Sequence, residues 1–198
     1  KLFIVRNPIN IWETRKGVKP ERENGENLKL VFVGRLVYQK GLDRILHLFK
    51  EDKKIDLVIV GDGEMKEILI KKVKQLNIQN NVKFLGKIIN PYGLIAGADY
   101  FILPSRWEGL PNCVLESLAL GTPVLSTKEV YSLSDFKMNI LNRSIVLYDD
   151  IEHLSNNILG LKKRSDYRKL KLRKNLLNGY LSPSSYQKKL NNIILKVV

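Results

Sequence analysis

Short apolar runs recur along the chain without the polar alternation of a half-exposed strand: Lys29–Val33, Asp56–Val60, Val82–Leu85, Tyr100–Leu103, Pro123–Ser126 and Ser144–Tyr148. A strand covered on one face alternates, so near-continuous runs predict parallel strands covered on both faces. Stretches of helical period separate them. Leu42, Ile45, Leu46 and Phe49 form one apolar stripe. Val114, Leu115, Leu118 and Ala119 form another, with Gly121 placed to stop it. Strand and helix in alternation predict an α/β domain built on a doubly wound parallel, Rossmann-like sheet.

Residues 1–198 read as a single such domain with less regular edges. Lys1–Val5 reads as a further buried strand, Lys16–Glu26 as a charged, exposed loop, and Lys128–Asn142 as loop with a helical turn. From Ile151 the pattern is helical, broken around Gly179–Pro183, so residues from about 150 to 198 form a trailing helical segment. The chain opens on Lys rather than Met, which predicts a piece of something longer. No apolar run approaches the roughly 20 residues a bilayer span needs. Lys1–Val5 reads as a strand that Arg6 interrupts, so no secretory signal is expected there. Cys113 is the sole cysteine, so no internal disulfide forms and a reducing compartment is expected. With no histidine near it in sequence, Cys113 reads as a small packing residue rather than a nucleophile.

The formal net charge is +14, concentrated late in the chain, as in Lys162–Arg164 and Lys169–Lys174. Such an excess points to phosphate-bearing ligands, an anionic membrane or nucleic acid, or else to solvated lysine faces on helices. Nucleic-acid binding would call for aromatics interleaved with the basic clusters. Only Tyr167, Tyr180 and Tyr186 lie there, at helical spacing suited to packing, and no nucleic-acid partner is expected.

Ligands of open parallel sheets sit beyond the carboxyl ends of the strands. Here those ends read Gly34–Arg35, Gly61–Asp62–Gly63, Gly86–Lys87, Ser105–Glu108 and Ser126–Thr127. A turn alone explains any one glycine; five small, polar or charged ends together predict a cleft. Gly61–Glu64 lacks the spacing of a dinucleotide fingerprint and reads as a tight turn into a helix from Met65, with Asp62 and Glu64 as caps. Arg35 leaves one strand end and Lys40 stands at the start of the next helix, so both can converge on one anion. Glu108 and Glu116 bracket the Gly–Leu–Pro turn and the helix start that follows it. A helix entry favours an anion. Carboxylates beside it instead accept hydrogen bonds from hydroxyls, and a nucleotide sugar carries both phosphates and hydroxyls.

With these residues in view, the chain resembles the C-terminal, donor-binding half of a retaining, two-domain (GT-B) group 1 glycosyltransferase. The motifs are Gly34–Leu36 with Lys40–Gly41, Val60–Gly63, Val82–Gly86 and the long run from Ser105 to Val124, which matches the family's Glu-x7-Glu signature. Phe3–Ile9 is similar to the segment after the interdomain linker. The stretch from Ser126 to Asn142 departs from the family, lacking its glycine pair and Pro–Glu. The resemblance implies that Arg35 and Lys40 bind the donor diphosphate, Glu116 accepts the ribose hydroxyls, and Glu108 lies near the transferred sugar as a polarising catalytic group. Gly34, Gly61, Gly109, Leu110, Pro111 and Asn112 would line the site, with the base beside Lys87 and Ile88. It further implies a UDP-sugar or other nucleoside-diphosphate sugar, no cofactor and no metal, and a saccharide or lipid-linked acceptor.

The expectation is a transferase of capsule, lipopolysaccharide or other surface-polysaccharide assembly. It would be cytoplasmic and held peripherally at the inner membrane face by its basic surface. The N-terminal acceptor domain is absent from these residues, so the chain should bind donor and transfer weakly. A nucleotide-sugar epimerase of the same architecture is the alternative, and its additional acid/base histidines are not found: His47 reads as helical and His153 as following the last strand, both on the surface.

Overall fold

A computed structural model describes residues 16–22, 25–51, 54–109, 111–130, 145–158 and 160–161. Lys1–Val5, Phe3–Ile9, Leu110, most of the 128–142 loop and the helices expected beyond residue 161 lie outside the described residues.

Six parallel strands form one sheet in the order β3-β2-β1-β4-β5-β6. They are β1 Leu28–Val33, β2 Ile55–Val60, β3 Val82–Gly86, β4 Tyr100–Leu103, β5 Val124–Thr127 and β6 Ile145–Tyr148. Each of these six strands lies within one residue of the run read from the sequence. Both faces of the sheet are covered, which is why the runs do not alternate. Leu30, Phe32, Leu57 and Ile59 enter one apolar core, whereas Val31, Phe101, Leu103 and Val124 enter the other. Burying a side chain of this size contributes about 1.5–3 kcal/mol. Strand β3 at the sheet edge is the exception, burying one face only.

The helices are α1 Leu48–Glu51, α2 Lys66–Gln75, α3 Tyr92–Gly97, α4 Asn112–Leu120 and α5 Ile151–Ile158. Gly121, with φ 84°, ends α4 as its position predicts. The stripe Leu42, Ile45, Leu46, Phe49 is buried but does not ride on one continuous helix. The chain makes two 3-10 turns, Tyr38–Lys40 and Leu42–Arg44, before α1. Positions three and four apart share a face in either geometry, so the apolar spacing does not separate a helix from successive tight turns. His47 consequently sits in a turn and His153 on α5, both exposed. The charged 16–26 segment is not merely a loose loop. Its Arg22 makes a two-pronged ion pair with buried Asp99 at 2.9 and 3.0 Å.

Between β1 and β4 the strand order reverses, and the connections on the two sides leave in opposite directions. The paired register of these strands runs from Leu30–Tyr100 to Val31–Phe101, short of both carboxyl ends. The loops after β1 and β4 therefore stand on either side of the reversal point, where sheets of this kind place a crevice.

Candidate functional site

The loop after β1 is fixed by its neighbours rather than by its own side chains. Gly34 N donates to Val60 O at 3.0 Å, Leu36 N to Asp62 O at 2.9 Å, and Met65 N to Leu36 O at 2.8 Å. A Cβ at Gly61 would stand 1.8 Å from the Gly34 carbonyl oxygen. That close approach accounts for Gly61 without any phosphate, in keeping with the tight-turn reading of Gly61–Glu64. Asp62 accepts Gly63 N at 2.8 Å and pairs with Lys66, and no side chain caps α2. Leu36 is buried and anchors the loop, leaving Arg35 exposed.

Lys40 ends a 3-10 turn instead of opening a helix, because Gly41 turns left-handed behind it (φ 66°). A Cβ at Gly41 would lie 2.2 Å from Pro104 O, so glycine is what lets this turn reach the β4 loop. The β4 loop carries buried Ser105, then Arg106, exposed Trp107, Glu108 and Gly109. Helix α4 follows from Pro111, and no side-chain hydrogen bond from that N-cap satisfies its first N–H groups. Asn112 is exposed at this entry and Pro111 half-buried.

The fold brings three of the predicted residues together. Lys40 and Glu108, 68 positions apart, form an ion pair in which the side chains are 12% and 9% exposed. Ser105 Oγ donates to the same carboxylate oxygen at 3.2 Å. Glu116, one helical turn beyond Cys113 on α4, is near enough that it, Lys40 and Glu108 all act on the Cys113 thiol. Burial pushes Cys113 up to about 12, with Lys40 opposing and Glu116 and Glu108 adding to the rise. It stays a protonated packing residue. Burial also raises the Glu116 carboxyl above its ordinary value, while a hydrogen bond from Tyr92 on α3 pulls the other way.

Of the two cations expected to converge on one anion, Lys40 is engaged by Glu108, and Arg35 makes no hydrogen bond or ion pair among the described residues. Lys87 and Ile88 follow β3, two strands from β1 along the same edge. Sequence reasoning missed Tyr92, Gln39 and Asp43, and it placed Ser105 and Arg106 at the cleft edge without giving either a partner. Arg106 NH1 and NH2 reach Asp43 at 2.9 and 2.7 Å, and NH1 reaches Tyr38 O at 2.7 Å. Arg106 lies within the Ser105–Val124 motif and Asp43 just past Lys40–Gly41, but nothing local couples positions 63 apart. No group of three or more His, Cys, Asp or Glu able to hold a metal occurs among the described residues.

A family model described as glycosyl transferases, group 1, matches residues 14–194. An uncharacterized glycosyltransferase of Methanocaldococcus jannaschii is 40% identical over 106 residues, 52% of this chain and 26% of that protein. The O-antigen biosynthesis glycosyltransferase WclY of Escherichia coli is 32% identical over 130 residues, 63% of this chain and 36% of that protein. Among solved structures, the apo form of the lipopolysaccharide outer core galactosyltransferase WaaB aligns with TM-score 0.74 at 24% identity, covering 99% of this chain and 56% of that one. Anabaena HepE in complex with UDP aligns with TM-score 0.70 at 17% identity, covering 86% and 49%. The structural likenesses carry the fold, and this chain spans only about a quarter to a third of the two curated relatives.

Proposed function

The chain belongs to the group 1 glycosyl transferases, and from that premise we propose that it binds a UDP-sugar and serves transfer of the sugar, with retention, to a saccharide or lipid-linked acceptor. The observation that carries the reading is the meeting of Lys40 and Glu108 beside the uncapped entry of α4, at the sheet's reversal point. The diphosphate would lie on the α4 amides with Arg35 and Lys40 against its oxygens, and no metal is needed. As the bond to the sugar breaks, negative charge grows on the diphosphate. Donors already aimed there lower the barrier by about 3 kcal/mol each. The leaving phosphate takes the acceptor's proton, and Glu108 holds and polarises the sugar without bonding to it. Glu116 accepts the ribose hydroxyls, and the base packs beside Lys87 and Ile88.

UDP is favoured because HepE, which shares the fold, was solved with it. Surface-polysaccharide assembly is favoured by the relatives that build O-antigen and lipopolysaccharide. The greater length of those relatives supports an acceptor-binding portion outside this chain, so these residues alone would bind donor but transfer poorly. No helix among the described residues is long and apolar enough to cross a membrane. The charge of +14 supports peripheral attachment to anionic lipid at the cytoplasmic face.

Calorimetric titration of UDP, GDP and ADP tests the reading. UDP should bind tightest, and Arg35→Ala and Lys40→Ala should each weaken it about tenfold or more, as for a lost charge-assisted hydrogen bond. Unchanged affinity in both variants would remove the diphosphate site.

A further inference from the structure

We propose that Arg106 is a positioning residue of the transfer site: it latches the turn that carries Lys40 to the loop that carries Glu108, and so sets where Lys40 meets the diphosphate. The proposal rests on the donor reading above and adds a residue to it.

The sheet does not fix these two loops relative to each other, because the β1–β4 register stops at Val31–Phe101. Lateral ties must do so, and they centre on Arg106. Its backbone N donates to Gln39 O at 2.8 Å, and Gln39 Nε2 donates back to Trp107 O at 2.9 Å. Its guanidinium takes both oxygens of Asp43 and the carbonyl of Tyr38, and its central carbon lies 3.8 Å from the Tyr38 ring centre. Residues 38, 39 and 43 bracket Lys40 on both sides, so the ties clamp its turn from either end. A fork of fixed N–H groups can hold a carboxylate and a carbonyl at once, which an ammonium cannot do with the same geometry. The Arg106 and Asp43 side chains are 19% and 24% exposed, so solvent competes only partly for the pair. The guanidinium holds the Asp43 carboxyl below its ordinary range, as a persistent pair requires.

The test is a double-mutant cycle on UDP affinity, by calorimetry on the 198-residue chain at a temperature where circular dichroism shows every variant folded. Arg106→Ala should weaken UDP about tenfold, within the range of coupling between members of one network. In a Lys40→Ala background the same change should alter affinity by less than about twofold, because the group it positions is gone. Asp43→Asn should follow the same pattern, and it carries the cycle if Arg106→Ala does not fold. Arg106→Lys should restore less than half of the lost binding energy. Equal losses in the two backgrounds, or a lowered Tm with unchanged affinity, would overturn the proposal and leave the donor site standing. Failure of the wild-type chain to bind UDP, GDP or ADP would instead overturn the donor reading and the latch with it.

Discussion

Lys40 Nζ and Glu108 Oε1 meet across the opening between β1 and β4, and Ser105 Oγ shares the same oxygen. The cation read as a phosphate ligand is thus already neutralised by the acid read as a sugar ligand. Glu108→Gln should release Lys40 from that pairing. UDP affinity should then rise, since Glu108 no longer competes with the diphosphate for an ammonium that is only 12% exposed. Sugar transfer by the whole enzyme should fall about a hundredfold or more with loss of a positioned charge. Calorimetry and turnover measured together check this, and weaker UDP binding in Glu108→Gln would contradict it.

Glu116 gives a pH dependence of definite sign. Burial raises its folded-state value above that of the unfolded chain. As pH climbs from below the ordinary carboxyl value through the folded one, the unfolded chain loses this proton first and stability falls. Glu116→Gln removes that loss. Its Tm should exceed that of the wild type at pH 7 and approach it at pH 4, while its UDP affinity drops. A Tm difference that is larger at pH 4 than at pH 7 would show that burial is not the governing cause.

Gly41→Ala should destabilise the fold and the site together. The substitution places a side chain at φ 66° and a Cβ 2.2 Å from Pro104 O. The left-handed conformation alone costs roughly 1–2 kcal/mol, and the overlap adds to it. Urea unfolding should show a lower midpoint, with UDP affinity reduced even where the variant is fully folded.

Cys113 should be nearly inert in the native chain. With its value pushed up to about 12, little thiolate exists at pH 8. Alkylation by iodoacetamide should run about a hundredfold or more slower than in urea-unfolded chain, because only the thiolate attacks. Comparable rates in the two states would contradict the protonated, partly buried thiol.

The sheet was legible because covered parallel strands leave uninterrupted apolar runs, as Asp56–Val60 and Tyr100–Leu103 do. The stop at Gly121 was legible for a local reason, the left-handed turn that a helix end requires. The turns around Leu42–Phe49 were not, since their apolar spacing suits either geometry. Glu108 and Glu116 announce themselves by their place around a helix start. Their partners do not. Tyr92 reaches Glu116 from another helix, and Asp43 reaches Arg106 from another loop, and such contacts are decided by the crossing of elements rather than by neighbours in the chain.

The β1–β4 seam parts after Val31 and Phe101. The gap it leaves is written in backbone register, so exchanging side chains on the two loops would change what the gap admits without closing it. Chains sharing this register can therefore diverge in the ligand they admit while keeping the same place to admit it.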